Sequence, residues 1–293
     1  MNTGSMRSIV IILLIFSLIS CSNLKISDKK PLPSGITHSS LMQSVIILPV
    51  QPRKIRYCNY THTFVVLDKT KNMLYRIDEK GKILQRIGEF GFDAGQFVHI
   101  SDFAVDSFGN IFVVDDVINI VVQFDDFGQF VNSFSPMDMT DPELIAVLDT
   151  GELLIYDSSS NQVFCYIKQN SIRFKFGKFY LDDPKKISAS LDVNYIQDTG
   201  NNTIFMIDGF GGLLHEISPK NPVVDITSTK DFYYYIDANA ELYVARRTSD
   251  VQLHLGNITE LIPNIKPKAI IVFSKTVCIL DGNKLYLFQL LDN

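Results

Sequence analysis

An aspartate followed four residues later by an asparagine recurs along the chain, at Asp68 and Asn72, Asp115 and Asn119, Asp157 and Asn161, and Asp198 and Asn202. Weaker copies keep the aspartate alone, at Asp237 and Asp281. Successive aspartates lie 47, 42, 41, 39 and 44 residues apart. That spacing is the period of a supersecondary unit that cannot bury its apolar surface alone and must stack on its neighbours. Each aspartate ends a short apolar run, as in VVLD, FVVD, LIYD, YIQD, YYID and CILD, and a second run follows within a few residues. Paired runs of this kind, separated by turn chemistry, read as β-hairpins. Six marks imply six units.

The best-preserved unit is Gly91 to Phe134. Four strands are expected in it, at Ile100 to Val105, Asn110 to Val114, Ile118 to Phe124 and Phe130 to Phe134, all rich in residues that fit a pleated, buried surface. The tetrads Asp106 to Gly109 and Asp125 to Gly128 separate them, with glycine able to take positive φ and aspartate able to bond nearby backbone N–H groups. The unit is a four-stranded meander. Fourth strands recur as ILQRIG, FVNSFS, IRFKFG, LLHEIS and VQLHLG, but the sixth unit has none before the chain stops at Asn293. An exposed edge there would be an aggregation liability. Ser44 to Leu48 (SVIIL) is a spare β-branched run ahead of the first unit's inner strand, itself expected near Lys54 to Tyr57. The expectation is that this run pairs beside Leu285 to Gln289. The fold class is therefore all-β, a six-bladed propeller of four-stranded antiparallel blades closed by an N-terminal strand.

The segments GFDAGQF, AVDSFGNIFVVD and QFDDFGQF resemble the NHL-type repeat, while the fourth to sixth units drift from it. Over its whole length the chain is similar to six-bladed propeller lipoproteins of bacterial surface and periplasmic repertoires. The resemblance implies a fold and an address, and fold alone does not specify function.

The start of the chain bears on the address. Met6-Arg7 precedes an apolar run, Ile9 to Phe16, that is too short to span a bilayer, and then Leu18-Ile19-Ser20-Cys21. These last four residues resemble the lipobox of bacterial lipoproteins, which implies cleavage before Cys21 and its acylation. The alternative is an ordinary signal peptide with a chance cysteine. By the same resemblance, Ser22 after the cysteine favours the outer membrane. Residues 1–21 are thus read as a lipoprotein signal ending in the lipobox cysteine. Residues 22–43, polar and rich in Pro and Ser, form a tether, and residues 44–293 the propeller.

Function classes can be narrowed. The net charge is −5, and no basic run interleaves with aromatics, so nucleic acid is not an expected partner. The recurring aspartates could form a carboxylate ring for cations, but one aspartate per blade at a strand end is what Asx-turn bonding requires. The five histidines, His38, His62, His99, His215 and His254, show no metal-ligand spacing, and Cys58, Cys165 and Cys278 read as small buried hydrophobes. No GxSxG elbow or phosphate loop occurs.

In a propeller the turn between second and third strands shares one face with the link from a fourth strand to the next inner strand. That face would carry Phe92, Gln96, His99 and Asp116, the candidate binding residues. The expected function is a lipid-anchored cell-envelope module, monomeric and non-catalytic, needing no metal or cofactor and presenting this face to a protein or glycan partner. The alternatives are a lactonase-like hydrolase or lyase with a divalent cation in the central channel, and a small-ligand sensor, which would need a channel pocket.

Overall fold

The computed structural model describes residues 32–33, 42–168 and 171–290. The signal segment, Cys21 and most of the tether lie outside the described residues. Blade 1 comprises Pro52–Cys58, Thr63–Asp68, Leu74–Asp78 and Ile83–Ile87; blade 2 comprises Ile100–Val105, Ile111–Asp115, Ile120–Phe124 and Phe130–Phe134. Blade 3 is Pro142–Val147, Leu153–Asp157, Gln162–Lys168 and Ser171–Phe176, and blade 4 is Pro184–Ser190, Val193–Asp198, Thr203–Asp208 and Leu213–Ile217. Blade 5 is Val223–Ser228, Phe232–Asp237, Glu241–Arg246 and Gln252–Asn257. Ala269–Phe273, Thr276–Asp281 and Lys284–Gln289 form blade 6, whose fourth strand is Met42–Ile47.

Burial follows radial position. The second strands TFVVLD, IFVVD, LLIYD, VNYIQD and FYYYID are buried at every residue, because both faces pack against neighbouring blades. Outer strands such as ILQRI and LLHEI alternate between covered and exposed positions, as a half-solvated surface requires. The apolar clusters therefore lie between blades. One of them joins Ile55, Phe64 and Val66 of blade 1 to Ile46, Ile271, Cys278, Leu280 and Leu285 of blade 6 across the seam between first and last blades.

The closing strand pairs antiparallel with Lys284–Gln289, with Val45 opposite Tyr286, Ile46 opposite Leu285 and Ile47 opposite Lys284. It begins two residues earlier than expected and ends at Ile47. Leu48 is held beyond it: its N–H donates to Asn283 O at 2.8 Å and its carbonyl accepts from Asn283 Nδ2 at 3.1 Å. Sequence periodicity does not reveal one recurring feature. The inner strands of blades 1 to 5 each break register after their first residue, between Pro52 and Lys54, Ile100 and Asp102, Pro142 and Leu144, Pro184 and Lys186, and Val223 and Asp225. Such a bulge adds a residue and re-aims the side chains beside it.

Ile46 is 5% exposed and packs in the closing cluster. Ile46→Ala should cost about 2–4 kcal/mol in denaturant unfolding, and an unchanged midpoint would refute the closure. Cys58, Cys165 and Cys278 are buried free thiols, and burial pushes Cys165 up to about 11 and Cys278 upward as well. In a Cys21→Ser chain at pH 8, an aromatic disulfide reagent should label none of the three until denaturant is added. Rapid labelling of the native chain would contradict the packing.

Candidate functional site

The recurring aspartates hold the loops of the link face in place. Asp115 is 0% exposed and accepts four N–H groups, from Val117 at 3.0 Å and Ile118 at 3.3 Å in its own turn, and from Val98 at 2.6 Å and His99 at 3.2 Å in the link before the inner strand. Asp157 likewise takes Ser160 N on one side and Thr140 and Asp141 N on the other. Asp198 takes Asn201 N together with Asp182 and Asp183 N. Asp68 binds the N–H groups of Thr70 and Lys71, Asp237 those of Asn239 and Glu241, and Asp281 that of Lys266. Burial alone would raise the Asp68 and Asp157 carboxyls, but the converging donors outweigh it and hold both below the usual range.

The paired asparagines reach the next blade. Asn72, Asn119, Asn161 and Asn202 all have positive φ, a conformation asparagine tolerates. Asn72 bonds Val98 O before blade 2 and Ile100 N at its first residue, Asn161 bonds Leu181 O before blade 4, and Asn202 bonds Pro219 O before blade 5. Asn119 keeps the backbone geometry, but its buried Oδ1 meets no donor.

On the same face, Glu89–Phe90 and Gln96–Phe97 pair in parallel and close a loop whose Phe90 and Phe92 are exposed. Gln96 bonds within that loop, accepting Asp93 N at 3.0 Å. His99 Nδ1 lies 2.6 Å from Asp116 Oδ1 and its Nε2 lies 3.1 Å from Arg53 Nη1. The structure therefore joins His99 and Asp116, adds Arg53 to them, and leaves Phe92 projecting into solvent.

A second locus lies on the axis. The residue after each bulge in blades 1, 2, 4 and 5 is charged: Lys54, Asp102, Lys186 and Asp225. Asp102 Oδ1 takes Lys54 Nζ at 3.0 Å and Arg56 Nη2 at 3.4 Å, while its Oδ2 accepts Ile145 N of blade 3 at 3.1 Å. Three blades on, Asp225 Oδ1 takes Lys186 Nζ at 2.6 Å and its Oδ2 accepts Ile270 N of blade 6 at 2.8 Å. The two sets are related by half a turn of the ring. An inner strand has no further strand to pair with on the axial side, and its buried N–H groups need acceptors; the carboxylates supply them.

Burial pushes Asp102 upward, but Lys54, Arg56 and the Ile145 N–H outweigh it and hold the carboxyl below its ordinary value. Burial also pushes the Lys186 ammonium down, to about 8, despite Asp225. Beneath this layer, toward the hairpins that join first and second strands, is a cavity of about 180 Å³ reached by Arg56, Tyr57, Lys186, Ser188, Thr227 and Ser228. No set of three or more His, Cys, Asp or Glu side chains among the described residues is grouped to hold a metal ion.

Sequence reasoning singled out none of these axial residues. The signal that could have found them is the repeated Pro-x-Lys-Ile at Pro52 to Ile55 and Pro184 to Ile187, which opens the inner strands of blades 1 and 4.

Comparison with known proteins agrees with the architecture. A family profile, DUF5128, described as a 6-bladed beta-propeller, matches residues 46–208, more than half of the chain. No curated protein matches. Among solved structures, virginiamycin B lyase from Staphylococcus aureus superposes with a TM-score of 0.59 at 17% identity, covering 81% of each chain. A candidate exported protein from Bacteroides fragilis superposes with a TM-score of 0.61 at 14% identity, over 85% of this chain and 95% of that one. The Pan2 WD40 domain of Neurospora crassa has a TM-score of 0.56 at 10% identity, over 83% of this chain and 76% of that one. Proteins this different in name share the fold and nothing further by sequence.

Asp102→Asn keeps the shape but removes the charge that Lys54 and Arg56 face, and should cost about 2–4 kcal/mol at neutral pH, both cations being partly solvated. Because the native carboxyl is depressed, the parent's advantage is complete above the ordinary aspartate range near pH 4. It fades as pH falls through the lower native value. Unfolding curves that differ equally at pH 7 and at pH 2 would contradict this account.

Proposed function

We propose, for a chain that belongs to the DUF5128 family of six-bladed β-propellers, that it is a lipid-anchored binding module of the bacterial cell envelope. In this reading Cys21 carries the lipid, Ser22 directs the protein to the outer membrane, and the link face meets a protein or glycan partner without catalysis. The observation that carries it is the state of the carboxylates. Asp115, Asp157, Asp198, Asp102 and Asp225 each accept bonds from loops or neighbouring blades, so the groups best placed to serve as bases or ligands hold the ring together. The exposed Phe90 and Phe92, beside the His99 and Asp116 pair, supply the contact surface that a partner would bury.

One observation favours the enzyme alternative. Lys186 lies against the channel cavity with its ammonium lowered to about 8, near the range useful in acid–base chemistry, and a lyase shares the fold. The divalent-cation form of that alternative is less well supported. An ion on the axis would face Lys54, Arg56 and Lys186, with only two carboxylates, both already bonded.

The anchor is tested directly by Cys21→Ser in the native host. The parent should fractionate with membranes and the variant should be released into the soluble envelope fraction. Retention of the variant at the membrane would sink the lipid-anchor reading.

A further inference from the structure

The axial cavity has two unlike ends. At the charge layer three cations, Lys54, Arg56 and Lys186, face two carboxylates, Asp102 and Asp225, leaving one positive charge in excess. Asp102 is bonded by two cations and one N–H, so Arg56 is a surplus partner: Lys54 alone, at the shorter distance, keeps that carboxylate paired. Arg56 lines the cavity; its Nη1 donates to Ile55 O at 3.1 Å and its Nη2 to Asp102 at 3.4 Å, which leaves three of the guanidinium's five N–H groups for a ligand carboxylate. The hydroxyls of Ser188 and Ser228, 2.8 Å apart, stand in the cavity wall with it.

Blades 2, 3 and 6 contribute no charged side chain to the wall, which there is formed by residues such as Ala104, Val147 and Val272. A volume of about 180 Å³ is below the roughly 300–1,000 Å³ of pockets for drug-sized ligands. It is well above the roughly 10–15 Å³ of such space that one water needs. The space suits a small molecule, and a multiply charged inorganic anion would exceed the single positive charge and have no use for the aliphatic wall.

We infer that this cavity is a binding site for a short-chain organic monocarboxylate, its carboxylate on Arg56 and its hydrocarbon body against the aliphatic wall. The inference deepens the binding-module reading and rests on it only in taking the ligand to be held and not converted. It lies on the hairpin side of the channel, away from the link face that carries Phe92 and His99.

The test uses the full chain with Cys21→Ser, titrated calorimetrically with sodium butyrate, 1-butanol and inorganic phosphate. Butyrate should bind saturably at one site per chain, with the neutral alcohol and phosphate each about tenfold weaker or worse. Arg56→Met should weaken butyrate about tenfold or more while unfolding near the parent's midpoint, since Lys54 still pairs Asp102. Independently of any variant, nuclear Overhauser contacts from the butyrate methyl should fall on Val147 and Val272. Absence of saturable butyrate binding, equal binding of 1-butanol, preference for phosphate, parent-like affinity in Arg56→Met, or contacts elsewhere would each overturn the site. Proton spectra followed over a day separate the two readings: unchanged butyrate supports both. Its consumption would leave the carboxylate site standing and overturn the non-catalytic reading.

Discussion

The second-strand aspartate is the interaction on which the ring depends. A blade must turn sharply between its second and third strands and, at the same end, bring the chain back from the rim to the axis. Both segments bury backbone N–H groups that no strand pairs. One carboxylate has enough lone pairs to serve both, and Asp115 does so with two donors on each side. Turn and link, distant in sequence, become one rigid corner. The asparagine four residues on adds the bond across to the next blade, as Asn72 does with Val98 and Ile100. A pair of residues chosen for turn geometry thereby helps to set how blades stack.

The axis solves the same problem by other means. Inner strands have an unpaired edge toward the channel, and in blades 1 to 5 the bulge near the start re-aims a side chain. In blades 2 and 5 that residue is an aspartate which caps an N–H of the following blade, and in blades 1 and 4 it is a lysine which neutralises the aspartate. The resulting symmetry is twofold within a sixfold ring. The positive charge left over comes from Arg56, which blade 4 replaces with Ser188. The surplus charge at the channel is therefore a by-product of its structural bonding.

Much of the architecture was legible in the chain. Aspartate spacing, apolar runs and Gly-containing turns placed six blades, because each is a local property: a turn needs its own residues, and a strand between two blades needs a continuous apolar run. Even the closing strand could be read, since the missing fourth strand of blade 6 left Ser44 to Leu48 without another role. The register could not. Whether the strand begins at Met42 or Ser44 depends on cross-strand bonds to a segment some 240 residues away, including the Leu48 and Asn283 contacts beyond its end.

The candidate sites divide along the same line. His99 and Asp116 could be assigned to one face from topology alone, but not their 2.6 Å contact or the addition of Arg53 from the neighbouring blade. The axial set escaped altogether. Lys54 and Lys186 share a Pro-x-Lys-Ile opening, but Asp102 and Asp225 carry no such mark, and the four acquire meaning together only when bulges turn them toward adjacent blades. By itself the sequence determined the repeat, the blade count and the turn chemistry, which arise from bonding within some forty residues. The tertiary structure alone decided which charges meet and which cation is surplus, because those pairings cross between blades and depend on the ring being closed.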